Sequence, residues 1–137
     1  MKTRKESKYY TFVHIVLFIA IGLFFISGWN AEAATSGDVV VNEIMQNPSA
    51  VSDSAGEWFE LYNSTSSPID IDGWTIEDNG SDIHVIDNGG PLNTPAGGYL
   101  VLARNADPST NGGVTVDYQY SDDFFLSNGS DELVLND

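Results

Sequence analysis

Between Glu57 and Asn63 the chain reads EWFELYN, and its side chains alternate at period two. Phe59 and Leu61 fall on one side of an extended segment and Trp58, Glu60 and Tyr62 on the other, the pattern of a strand with one face in a core. Residues 64–68 (STSSP) turn the chain. Ile69 and Ile71 then alternate with Asp70 and Asp72, Gly73 allows a bend, and Trp74 and Ile76 resume the apolar side.

The pattern recurs along the chain. Residues 38–45 (DVVVNEIM) predict a first strand, and residues 83–86 a short one around His84. Residues 99–103 (YLVLA) are apolar enough for a strand covered on both faces. Val114, Val116, Tyr118 and Tyr120 alternate cleanly. Residues 124–126 and 132–135 flank Asn128-Gly129, a dipeptide that suits the twist of paired strands, and so predict a closing hairpin. Residues 49–56 and 105–113 read as loops, and the Gly/Pro segments 88–91 and 95–98 bracket another around Leu92. About eight short strands, with no helical period after residue 35, predict an all-β sandwich.

The N-terminus has a different character. Lys2, Arg4, Lys5 and Lys8 precede an apolar run over residues 12–26, broken only by His14 and Gly22, and Ala31-Glu32-Ala33-Ala34 follows. Basic, apolar and small-residue regions in that order predict a secretory signal helix over residues 1–34, cleaved after Ala33 or Ala34, with residues 35–37 as a linker. The competing reading is an uncleaved membrane anchor, since the run extended to Trp29 approaches bilayer-spanning length. Gly28 ahead of the alanines favours cleavage, and localisation outside the cell or in its envelope follows.

Charge separates the same two regions. Two of the 20 acids, Glu6 and Glu32, and four of the 5 basic residues precede residue 35. The remaining 103 residues therefore carry 18 acids against Arg104, a net charge of −17. Such a surface repels phosphate backbones, so no nucleic-acid partner is expected. There is no cysteine, which leaves the core, or a bound metal, to hold an exported domain together.

The segments VVVNEIMQNPS, GEWFELYN, PIDIDGWTIED, PAGGYLVLARN and LSNGSDELVLND, in this order and spacing, resemble the lamin tail domain family in its secreted prokaryotic form. The resemblance covers residues 38–137 and implies an immunoglobulin-like sandwich, with Phe59, Leu61, Trp74, Ile76, Leu100, Leu102, Leu133 and Leu135 in the core. It also implies an accessory module with no enzymatic role, of a kind found beside hydrolase or surface-anchoring domains; in nuclear lamins the domain is a platform for protein and chromatin contacts. Prokaryotic members often continue with a further strand, so the resemblance leaves either a minimal or C-terminally truncated copy, or an open final edge able to accept a partner strand.

The residues offer three kinds of candidate site. For catalysis, residues 35–137 offer one histidine, His84, without a sequence neighbour suited to a triad, and Glu57 and Glu60 should not converge. A small hydrolase is the least supported reading. For metal, Asp70, Asp72, Asp78 and Asp82, with Glu77 and Asn79, are hard oxygen donors suited to Ca²⁺, and Asp122, Asp123, Asn128, Asp131 and Glu132 form a second cluster; neither completes a calcium loop. The bland account is turn acids in water. A Ca²⁺-stabilised remnant of a longer secreted protein is the structural alternative. For binding, Trp58 and Tyr62 flank Glu60 on the outward face, a strip able to stack on sugar rings or anchor a protein, unless another segment covers it. Arg104 suggests a local ion pair. Asn63-Ser64-Thr65, Asn79-Gly80-Ser81 and Asn128-Gly129-Ser130 match the N-glycosylation pattern. The leading expectation is a non-catalytic module for a protein or extracellular glycan, with no resident cofactor.

Overall fold

A computed structural model describes residues 33–78, 80, 82–120, 122–129 and 131–137. The signal segment expected over residues 1–34 therefore lies outside the described residues, except for its last two positions.

The described residues form nine strands: β1 (Val39–Met45), β2 (Trp58–Asn63), β3 (Ile69–Asp70), β4 (Thr75–Glu77), β5 (Ile83–Val85), β6 (Asn93–Thr94), β7 (Tyr99–Ala103), β8 (Tyr118–Gln119) and β9 (Val134–Asn136). One sheet has the order β1-β2-β7-β8, a second β5-β4-β9, and β3 pairs with β6. All pairings are antiparallel except β7 with β8. The inner sides of the sheets meet in one core of Phe59, Leu61, Leu100, Leu102 and Tyr118 from the four-stranded sheet, Ile76 from β4, and Ile71, Ile86, Leu92, Tyr120, Phe124 and Leu126 from connecting segments. This is an immunoglobulin-like β-sandwich.

β2 carries the alternation into the structure. Phe59, Leu61 and Asn63 are buried while Trp58, Glu60 and Tyr62 are half-buried on the other side. Along β7, Leu100 and Leu102 face the core. Tyr99 is 53% exposed, so β7 is central in its sheet without being covered on both faces along its length. Trp74, Leu133 and Leu135 are partly buried and pack against the core from its margin.

Turn chemistry fixes several connections. Gly73 adopts φ +86° between β3 and β4, a left-handed conformation that strains residues with a Cβ, and its N–H donates to Ile86 O at 2.8 Å. The predicted loop 49–56 contains a single helical turn, α1 (Asp53–Gly56). A Cβ on Gly56 would stand 2.3 Å from Val51 Cγ2 and 3.0 Å from Pro48 Cγ, so only glycine lets α1 pack here.

The expected closing hairpin does not form. β9 pairs with β4 instead, through Thr75↔Asn136, Ile76↔Leu135 and Glu77↔Val134, while residues 124–126 are not a strand. Phe124 and Leu126 plug the core from an irregular segment, so their alternation reports burial and not pairing. Neither Asn128 nor Gly129 has a positive φ, which the turn predicted for this pair requires. Of the alternating stretch 114–120, only Tyr118–Gln119 pairs as strand, parallel to β7.

Candidate functional site

Residues in register across neighbouring strands share a face. On the outer side of the four-stranded sheet this gives the rows Val40–Tyr62–Tyr99, Glu43–Glu60–Val101 and Met45–Trp58–Ala103. A bulge in β1 between Val41 and Glu43 keeps its outward residues in these rows. The surface opens from one end to the other: Ala103 is 3% exposed, whereas Val40 is 40% and Tyr99 53% exposed. The Tyr62 and Tyr99 rings lie 4.9 Å apart at 37°, a tilted pair. Glu60 is held in place by Asn42 Nδ2, which donates to its Oε1 at 2.7 Å. Trp58, Glu60 and Tyr62 thus share one face, and the structure adds Tyr99 and Val40, which the sequence placed in other strands without indicating which face they share.

Of the carboxylates proposed for Ca²⁺, those of Asp70, Asp72 and Asp78 accept backbone N–H groups. Asp70 Oδ1 accepts the N–H groups of Asp72 and Leu92 at 3.1 and 2.8 Å, and Asp72 Oδ1 accepts that of Asn88 at 2.8 Å. Asp78 Oδ1 accepts from Gly80 and Asp82 at 2.8 and 3.1 Å. Among the described residues no group of three or more acidic, histidine or cysteine side chains is placed to hold a metal ion. Asp70 ties β3 to the segment entering β6, and Asp70→Ala is expected to lower unfolding free energy by about 1–2 kcal/mol. Urea denaturation with and without chelator checks this; a loss that appears only when Ca²⁺ is present would favour the metal reading.

Two buried polar clusters were not legible in the sequence. His84, 8% exposed, meets Asp123 Oδ1 through Nδ1 at 2.9 Å and the Tyr118 hydroxyl through Nε2 at 2.8 Å. Asp87 N–H donates to that hydroxyl at 3.0 Å. Both ring nitrogens are thus engaged within the fold, and the chain ties β5 to β8 and to the segment after it.

Glu57 is 1% exposed. Its Oε1 accepts Leu126 N–H at 2.7 Å and the Tyr120 hydroxyl at 3.3 Å, and its Oε2 lies 3.7 Å from Arg104 Nη1. Arg104 also donates to Asp122 at 3.0 Å. Arg104 therefore faces a buried carboxylate as well as a surface one. Burial pushes the Glu57 carboxyl up from the usual carboxylate range, against the opposing pull of the Leu126 N–H, Arg104 and Tyr120. Glu60 lies on the outer face, so the two glutamates do not converge.

Asn63 carries one glycosylation pattern yet is 0% exposed. Its Nδ2 donates to Ser67 O and Thr94 O at 2.8 and 3.0 Å, while Oδ1 accepts the N–H and hydroxyl of Thr65 at 2.9 and 2.8 Å. A glycan on that nitrogen is incompatible with the fold. Asn128 is exposed, and Asn79 lies outside the described residues.

An immunoglobulin-like sandwich defines the class of this protein. The chain belongs to the lamin tail domain family: the family model described as Lamin Tail Domain matches residues 32–137. Domains of this family are typically non-catalytic and concerned with interactions. No curated protein and no solved structure matches the chain.

Proposed function

We propose that this protein is an exported interaction module that holds a protein or an extracellular glycan on the outer face of its four-stranded sheet. The observation that carries this reading is the Tyr62–Tyr99 pair, ring centroids 4.9 Å apart, beside exposed Val40. Two tyrosines fixed on adjacent strands lose little freedom when a partner covers them, and their rings suit either an apolar protein patch or the C–H face of a sugar. Glu43 and Glu60 edge the strip with hydrogen-bond acceptors that favour a partner rich in donors. Export rests on the basic, apolar and alanine-rich order of residues 1–34.

The test is binding of the protein, purified from culture supernatant, to cell-envelope fractions and extracellular polymers. Tyr99→Ala is expected to weaken binding about tenfold or more, with Trp58→Ala weaker in effect because its end of the strip is more closed. A wild-type protein that retains nothing from either source overturns the reading. The mass of the supernatant protein tests export separately, since cleavage after Ala33 or Ala34 sets its N-terminus.

A further inference from the structure

We infer that Asn128-Gly129 is the chain's site of spontaneous deamidation, a modification that releases the segment after Leu126 from α1. The chain holds four Asn-Gly pairs: Asn79-Gly80, Asn88-Gly89, Asn111-Gly112 and Asn128-Gly129. At such a pair the glycine nitrogen attacks the asparagine Cγ. A new N–Cγ bond closes a five-membered succinimide, the Cγ–Nδ2 bond breaks, and the amide leaves as ammonia. Water then adds to either imide carbonyl and opens the ring to aspartate or isoaspartate. No electron changes hands, and water is the sole co-reactant. The reaction needs a side-chain amide reached by solvent and a glycine N–H free to lose its proton; a glycine favours it because no Cβ crowds the ring.

The structure separates the four pairs on these two requirements. Asn111 is 3% exposed and locked at both ends of its amide: Nδ2 donates to Asn105 O and Val114 O at 3.1 and 2.9 Å, and Oδ1 accepts from Gly113 and Val114 at 3.0 and 2.9 Å. Gly89 commits its N–H to Asp87 Oδ1 at 3.2 Å, and Gly80 commits its own to Asp78 Oδ1 at 2.8 Å. Asn128 is exposed, and among the described residues the Gly129 N–H has no acceptor. The one hydrogen bond of the Asn128 side chain among those residues is Nδ2 donating to Asp53 Oδ2 at 2.6 Å.

That bond gives the modification a consequence. Asp53 is the first residue of α1, so the Asn128 amide fastens the segment after Leu126 to this turn. Deamidation replaces the donor with a carboxylate facing another carboxylate, and attraction becomes repulsion. Isoaspartate in addition carries the main chain through the side-chain carbons. The Leu126 N–H bond to Glu57 lies two residues upstream and remains as the next point of attachment.

The experiment ages the full chain in mildly alkaline buffer and maps the sites by peptide mass spectrometry, with enzymatic methylation to count isoaspartate. Asn128 is expected to convert about tenfold or more faster than Asn88 or Asn111, which react only through local opening. Gly129→Ala should slow conversion at Asn128 without changing the melting midpoint. Gly129 has no positive φ, and the nearest atom to an added Cβ is Ser127 Oγ at 4.0 Å. Asn128→Asp should reproduce the lowered midpoint of the aged protein. Equal rates at Asn88, Asn111 and Asn128 overturn the inference. So does an Asn128 that stays intact in the folded chain while converting in denaturant, and an Asn128→Asp variant that melts as wild type removes the release of the segment.

Discussion

Glu57→Ala is expected to destabilise the domain by about 3–5 kcal/mol, the cost of breaking a buried charge pair from one side. The carboxylate is 1% exposed and joins three parts of the chain: the entry to β2, Arg104 at the end of β7, and the segment holding Tyr120 and Leu126. Alanine leaves Leu126 N–H, the Tyr120 hydroxyl and much of Arg104 facing a void. Glu57→Gln keeps an acceptor for Leu126 N–H and, since burial already disfavours the charge, should lose less, within about 1 kcal/mol. Urea unfolding of the two variants ranks them. A Glu57→Ala loss below about 1 kcal/mol would mean that water, not the protein, satisfies this cluster.

Glu57 also gives stability a definite dependence on pH. Burial raises its carboxyl above the reference value of 4.5, so the folded state holds this proton more tightly than the unfolded chain. The stabilisation from that proton is complete below 4.5 and is lost as pH rises through the raised value. Asp38 and Asp107 act in the opposite sense. Hydrogen bonds from the Thr35 backbone and hydroxyl lower the one, and from the Ser109 hydroxyl and backbone the other, beneath the reference value of 3.8; their contributions are present above 3.8 and lost as pH falls through the lowered values. The melting midpoint is therefore expected to peak in mildly acidic solution, and Glu57→Gln should flatten its decline toward neutrality. Relief of repulsion within a chain segment of net charge −17 acts in the same direction and persists in the variant. A wild-type midpoint that climbs from mildly acidic to neutral pH would falsify the sign assigned to Glu57.

The sequence showed sidedness and not partnership. Period-two alternation placed Phe59 and Leu61 opposite Trp58 and Tyr62 because strand geometry alone decides it. The same logic found Phe124 and Leu126 apolar at alternate positions, yet could not tell a paired strand from a plug. Pairing of β9 with β4 joins residues 59 apart in sequence, as the Asn136–Glu77 hydrogen bond shows, and turn chemistry at residues 128–129 pointed to a local partner. Polar burial was the least legible. Glu57 looked like part of an amphipathic strand, and His84 looked isolated because Tyr118 and Asp123 stand 34 and 39 residues away. Asn63 matched a modification pattern that its four side-chain hydrogen bonds with Thr65, Ser67 and Thr94 forbid. On the outer face, Tyr99 joined Tyr62 only once β7 was placed in register beside β2.

Phe59→Ala and Tyr99→Ala should separate the two sides of the same sheet. Phe59 is 0% exposed, pairs with Leu102 across β7, and lies 5.8 Å from the Tyr120 ring centroid in a stacked arrangement. Its removal opens a cavity that neighbours fixed on β2, β7 and the Tyr120 segment cannot collapse into, so a loss of about 3–5 kcal/mol is expected. Tyr99 is 53% exposed, and its truncation removes surface that water already reaches; a change within about 1 kcal/mol is expected, from the lost contact with Tyr62. Denaturant unfolding and partner binding, measured on both variants, should then move in opposite proportion. Phe59→Ala lowers stability sharply while leaving binding by its remaining folded fraction intact, and Tyr99→Ala does the reverse. If Tyr99→Ala were instead as destabilising as Phe59→Ala, the outer face would be part of the core of a larger assembly, and a weakened partner interaction could no longer be attributed to an open strip.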